Sequence, residues 1–193
     1  MIEPLGTAPD GRRQRGERSR QAIIDAALAL VEEGVLVPTA QQVSDRAGVA
    51  MRTFFRHFND MDSLFAAIDE TARGRMEFFF IADVPQGSLQ ERIEQVVEDR
   101  ARAYEGVSNV TLSTRALLWR SSFLTKRYAA DQRRLRRDLD RRLPEAALLD
   151  KAARESLDAI TSFDMWHRLR GHQGLSRKAG IELIAGMVKN LLD

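Results

Sequence analysis

An all-α fold is predicted by three features of this 193-residue sequence. Apolar residues recur three and four positions apart along most of the chain, which is the period of a helix with one buried face. Two such stretches are opened by capping boxes, Thr39 with Gln42 and Ser88 with Glu91, in which a hydroxyl accepts from a backbone N–H three residues on while the longer side chain reaches back. No segment alternates as a strand does, and none repeats. The pattern divides the chain into a flexible basic arm over 1–17 and a three-helix helix-turn-helix unit over 18–62. A long fourth helix over 61–80 leads into a second helical domain over 63–193, with about nine helices in all.

The arm holds Pro4, Pro9, Gly6 and Gly11 and ends in Arg12, Arg13 and Arg15. From Ser19 onward, Ile23, Ala26, Ala27, Leu30 and Val31 follow the one-sided helical pattern until Gly34 stops it. The Thr39 box starts a second helix at Ala40, with Val43 and Ala47 on its inner face. Gly48 then supplies the residue type that tolerates positive φ, Val49 plugs the corner, and a short helix from Met51 turns Phe54 and Phe58 inward four apart. Arg52, Thr53, Arg56 and His57 are left on its other faces. Asp60 is a plausible N-cap for the fourth helix, which runs through Leu64, Phe65, Ile68, Ala72, Met76 and Phe79 and is expected to be the only continuous rod between the two halves.

Pro85 and Gly87 interrupt the pattern before the Ser88 box, and Ile93, Val96, Val97, Ala101 and Tyr104 carry the next helix to about Glu105, with Gly106 as its stop. Thr111 to Arg120 and Phe123 to Leu143 read as two further helices, and Pro144 starts another. Ala146 to Leu169 is periodic throughout, by way of Leu149, Ala153, Leu157, Ile160, Phe163 and Trp166, and so is expected to be one helix. Ser176 to Leu192 closes the chain. The arginines at 133, 134, 136, 137, 141 and 142 interleave with Asp131, Asp138 and Asp140, so they are expected to pair across one exposed helix face.

Composition excludes several classes of function. With no cysteine there are no disulfides, thiolate nucleophiles or cysteine-bound zinc. The three histidines, His57, His167 and His172, form no ligand cluster, the latter two being five apart, a poor spacing on one α-helical face. No phosphate loop, nucleophile elbow or dinucleotide fingerprint is present, so the chain is expected to be no enzyme and to need no cofactor or metal. No apolar run approaches the ~20 residues of a membrane span and no signal-peptide core is found, which leads to an expectation of a cytoplasmic protein with no membrane partner. Net charge is only +2 with 30% of residues charged, so attraction to nucleic acid must come from a local footprint. The arm is such a footprint if it touches phosphates or the minor groove, and otherwise a solvated tail.

A helix laid in the major groove reads bases with side chains near its N-terminal end, and Arg52 and Thr53 suit guanine acceptors and the thymine methyl. Ile23 to Leu64 resembles the DNA-binding domain of the tetracycline-repressor (TetR) family of bacterial transcription regulators. The matching residues are the first helix ending at Gly34, then Thr39, Val43, Ala47-Gly48-Val49, Thr53, Phe55, His57-Phe58 and Leu64. Phe55 stands where many members have a phosphate-touching Tyr, Met61 where they have Lys, and Ala50 where Ser is common. The resemblance implies contact with double-stranded DNA through Arg18, Arg20, Thr39, Ala50, Met51, Arg52, Thr53, Phe55, Arg56 and His57.

It also implies a homodimer on an inverted-repeat operator, and repression relieved by a small, largely apolar effector. Tyr104, Thr114, Trp119, Phe123, Phe163, Met165, Trp166 and His167 are the candidate effector residues, although aromatics at helical spacing are more often plain core. Ile160, Ala179, Ile184, Ala185, Val188 and Leu191, on the last two long helices, are the candidate dimer contacts, the other reading being that they face the protomer's own core. The competing functional readings are a DNA-binding dimer with no effector, and a helical dimeric scaffold or interaction protein whose helix-turn-helix is packing alone.

Overall fold

The structure is a computed structural model that describes residues 11–80 and 83–193, and among these the regular elements are all helical. α1 is Gly11–Glu32, α2 Ala40–Ala47, α3 Met51–His57, α4 Met61–Phe80, α5 Leu89–Gly106, α6 Ser108–Leu117 and α7 Ser122–Arg142. A 3-10 turn at Pro144–Leu148 precedes α8 (Lys151–Ile160) and α9 (Phe163–His167), and a single π turn, Arg168–His172, precedes α10 (Arg177–Leu192). No described helix is long and apolar enough to cross a membrane.

Both capping boxes form as the sequence predicts, and Asp60 caps α4 by accepting from the Ser63 N–H at 2.8 Å. Three expectations need correction. The arm is helical from Gly11, because Arg13, Gln14, Arg15 and Glu17 favour helix strongly enough to carry Gly11 and Gly16 with them; its first ten residues lie outside the described ones. The side chains of Ala72, Met76 and Phe79 on α4 likewise lie outside what the structure describes. The periodic stretch from 146 to 169 is not one helix, since it breaks at Thr161 and Ser162. Asp150 caps α8, and Ser162 caps α9 by accepting from the Met165 N–H. α4 is not alone in spanning both parts of the chain, because α7 does so too.

The chain forms two compact units. Of the described residues, one holds those from Gly11 to Ala72 together with Asn109–Thr125, and the other holds those of Arg73–Ser108 with Lys126–Asp193. The first is built on Ile23, Ile24, Ala27, Val43, Phe54, Phe58 and Leu64, with a smaller cluster of Phe65, Leu117 and Leu124. Residues 109–125 join this unit through Asn109, whose amide donates to the Glu32 carbonyl at 2.9 Å and so satisfies the open C-terminal end of α1.

The second unit packs α10 on α5 and α8. It buries two arginines that the sequence does not distinguish. Arg100 donates to the carbonyl and hydroxyl of Thr161, both at 3.0 Å, and to the Leu135 carbonyl at 2.6 Å. Arg142 pairs with Asp99 at 2.5 Å. The arginine run on α7 therefore does not pair across one exposed face. Arg142 turns inward, and Arg136 reaches Glu155 on α8 at 2.8 Å. The exposed part of the expectation survives at Arg141, which bonds Asp138 at 2.8 Å on the same helix.

Candidate nucleic-acid interface

The site is built on the corner between α2 and α3. α2 ends at Gly48, whose φ of 66° is open to glycine at no steric cost and closes the helix by donating to the Ser44 and Asp45 carbonyls. Ser44, fully buried, donates to the Ala40 carbonyl at 2.7 Å and lies 3.2 Å from the Met51 sulfur, which ties the start of α3 to α2. Phe54 is fully buried and Phe58 nearly so, with ring centroids 5.9 Å apart, so α3 is held by its inner stripe. An ion pair between Arg46 and Glu33 fastens α2 to the end of α1.

That anchoring leaves the remaining faces of α3 outward. Ala50, Arg52, Phe55 and Arg56 are exposed and Thr53 is half-buried. Phe55, half exposed and edge-on to Phe54 at 5.3 Å, presents a bare ring to solvent. Met51 is one exception among the expected contacts, since its sulfur faces Ser44 rather than the open side, and half-buried His57 is another. Thr39 is exposed with its hydroxyl engaged in the capping box, so the same atom would have to serve cap and phosphate.

The N-terminal part of α1 adds a second basic strip. Arg13, Arg15 and Arg18 are exposed, and Glu17 is the lone acid among residues 11–24. Sequence reasoning assigns Arg13 and Arg15 to a flexible arm, yet they sit on the helix that carries Arg18; the signal is the helix-forming run around Gly16. Arg20 is half-buried with its guanidinium 5.5 Å from the centre of the Phe58 ring, a cation–π contact that holds it beside α3. His57 lies under this strip, its Nε2 buried without a hydrogen-bond partner. Burial foremost, then the nearby Arg56 and Arg20, hold its pKa below the ordinary imidazole value, while Glu17 pulls the other way. The ring is therefore neutral near neutral pH, and the local positive charge comes from arginines.

The expected effector residues are divided between the two units. Thr114, Trp119 and Phe123 belong to the first unit, and Tyr104, Phe163, Trp166 and His167 to the second. Trp119 is 83% exposed, its indole N–H spent on the Ala116 carbonyl, because α6 ends at Leu117 before it. Within the second unit Tyr104 meets Phe163 edge-on at 5.7 Å and donates to the Thr161 carbonyl, while Phe163 stacks on His167 at 5.6 Å. The space beside them, walled by Val97, Arg100, Tyr104, Thr161 and Trp166, is about 10 Å³, room for one water.

Of the expected dimer contacts, Ile184, Ala185 and Val188 are buried inside the protomer, since α10 uses that stripe to pack on α5 and α8. Ile160, Ala179 and Leu191 are half-buried. The outward face of α10 instead carries exposed Leu183 and Gly186 and half-buried Met187.

Residues 23–68 match the model of a family described as bacterial regulatory proteins, tetR family. A crystal structure from Pseudomonas aeruginosa PAO1, described provisionally as that of a transcriptional regulator, superposes with a TM-score of 0.61 at 18% identity, over 94% of this chain and 91% of that one. At that identity the likeness speaks for the fold. No curated protein matches the chain.

Proposed function

We propose that the chain is a DNA-binding transcription regulator of the tetR kind that its residues 23–68 match, and that it represses from a two-fold operator read by α3. The observation that supports this is the division of α3 into a buried Phe54/Phe58 stripe and an open face bearing Arg52, Thr53 and Arg56, next to the arginines of α1. An amphipathic helix that served packing alone would have no need of cations on its free side. Arg52 and Thr53 would meet base edges, Arg18 and Arg20 phosphates, and Ala50 and Phe55 the backbone or a thymine methyl.

A lone reader covers little DNA, so we place the second copy through α8 and the outward face of α10, where Leu183 and Gly186 are exposed and Met187 and Ala179 half-buried. The repressor reading includes release by a small effector bound in the second unit. The support for it is the aromatic group of Tyr104, Phe163 and Trp166 beside buried Arg100. To act as a switch, the effector must favour the released form by ~1–3 kcal/mol.

Selection of bound duplexes from random DNA tests the reading. An inverted repeat is expected, with Arg52→Ala losing ~1–3 kcal/mol at particular base positions and Arg18→Ala weakening all sequences alike with a flatter salt slope. Uniform loss at every position for Arg52→Ala would move it to the phosphates, and enrichment of no sequence would end the proposal.

A further inference from the structure

The two histidines of the second unit come together through the π turn. On an α-helix, residues five apart point to different sides, but here the backbone closes with bonds of five-residue reach: the Gln173 N–H donates to the Arg168 carbonyl at 3.0 Å. That wider turn brings the His167 and His172 rings to a centroid separation of 5.1 Å at an interplanar angle of 74°.

The surroundings fix one ring and leave the other open. His167 is half-buried and lies parallel to Phe163 at 5.6 Å, so its plane is set by packing. Gly171 permits the approach, since a Cβ there would stand 3.2 Å from His167 Cε1, closer than ordinary contact. His172 is exposed. Among the described residues, neither ring's nitrogens have a protein hydrogen bond or are sealed from water. Arg170, in the same turn, is occupied over the Trp166 ring and with Glu105 at 3.4 Å.

We propose that His167 and His172 form a two-imidazole binding site for a borderline divalent cation of the late first transition row, zinc, nickel or copper, with water completing its coordination. A tetrahedral ion holding two imidazole nitrogens at roughly 2.0–2.1 Å sets the ring centres about 5 Å apart, which is the separation already present. Neutral nitrogen ligands select these ions over magnesium and calcium, which take oxygen. The π turn thus makes a bidentate pair from a spacing that an α-helix would scatter. This site lies outside the DNA-reading residues and does not rest on the proposed function.

The chain has three histidines, so proton NMR of their C2–H resonances resolves the question on full-length protein without a purification tag. On titration with zinc, the His167 and His172 signals are expected to move together and saturate at one ion per chain while His57 stays still, and magnesium is expected to move none. Calorimetry with zinc should show His172→Gln losing about tenfold or more in affinity, with unchanged helical circular dichroism. If neither resonance moves, if all three move alike, or if His172→Gln binds as the parent does, the site does not exist and the 5.1 Å approach is edge-to-face ring packing alone.

Discussion

The first unit and the second both turn a corner between short helices, and they do so by different physics. Between α2 and α3 the corner is local: Gly48 takes the left-handed conformation, Thr39 and Gln42 fix the preceding helix, and every group that shapes the turn lies within about a dozen residues. Between α8 and α9 there is no glycine. The helix stops at Thr161 because its carbonyl, instead of continuing the ladder, accepts from Arg100 at 3.0 Å and from the Tyr104 hydroxyl at 2.9 Å, with Ser162 capping α9 immediately after. Those donors stand some sixty positions earlier in the chain. A corner of the first kind forms wherever its own sequence goes, whereas one of the second kind exists only once α5 is packed beside it.

The comparison can be broken by substitution. The largest effect is expected at Arg100→Met, which keeps the apolar stem but removes the guanidinium from the Leu135 carbonyl and from the Thr161 carbonyl and hydroxyl, leaving Tyr104 alone on the Thr161 carbonyl. A loss of about 1–3 kcal/mol in chemical denaturation is expected, with hydrogen exchange rising around residues 157–166. Stability and exchange equal to the parent's would mean that the α8–α9 break is encoded locally after all.

A smaller loss is expected at Gly48→Ala. The space there is open, with nothing within 4 Å of an added Cβ, so the whole cost is the left-handed backbone, about 1 kcal/mol. Gly48→Asn should recover part of it, because asparagine tolerates that conformation better. Equal losses for the two variants would point to something other than φ at this corner.

The smallest effect concerns pH and sharpens the description of the reader. His57 has its pKa lowered in the folded chain, so the unfolded chain takes up the proton first as pH falls. Its contribution is present in full above the unfolded value near 6.5, declines as pH drops through it, and stops changing below the depressed folded value. Denaturation midpoints from pH 7.5 to 5 should fall less steeply in His57→Gln than in the parent. Parallel slopes would remove His57 from the account of acid sensitivity.

The sequence by itself determined the elements whose causes are near neighbours. Both capping boxes, the glycine corner, the inward Phe54 and Phe58 and the outward Arg52, Thr53 and Arg56 come from spacing and propensity, because backbone caps and helical faces are set within one or two turns. Tertiary structure alone decided the rest. It placed Arg142 inside and Trp119 outside, and it turned Ile184 and Val188 to the protomer's own core rather than to a second copy. It also divided the stretch from 146 to 169, and with a π turn it brought together two histidines that an α-helical reading sets apart. In each of these cases the deciding partner is distant in the chain or the turn departs from α geometry, and helical periodicity registers neither.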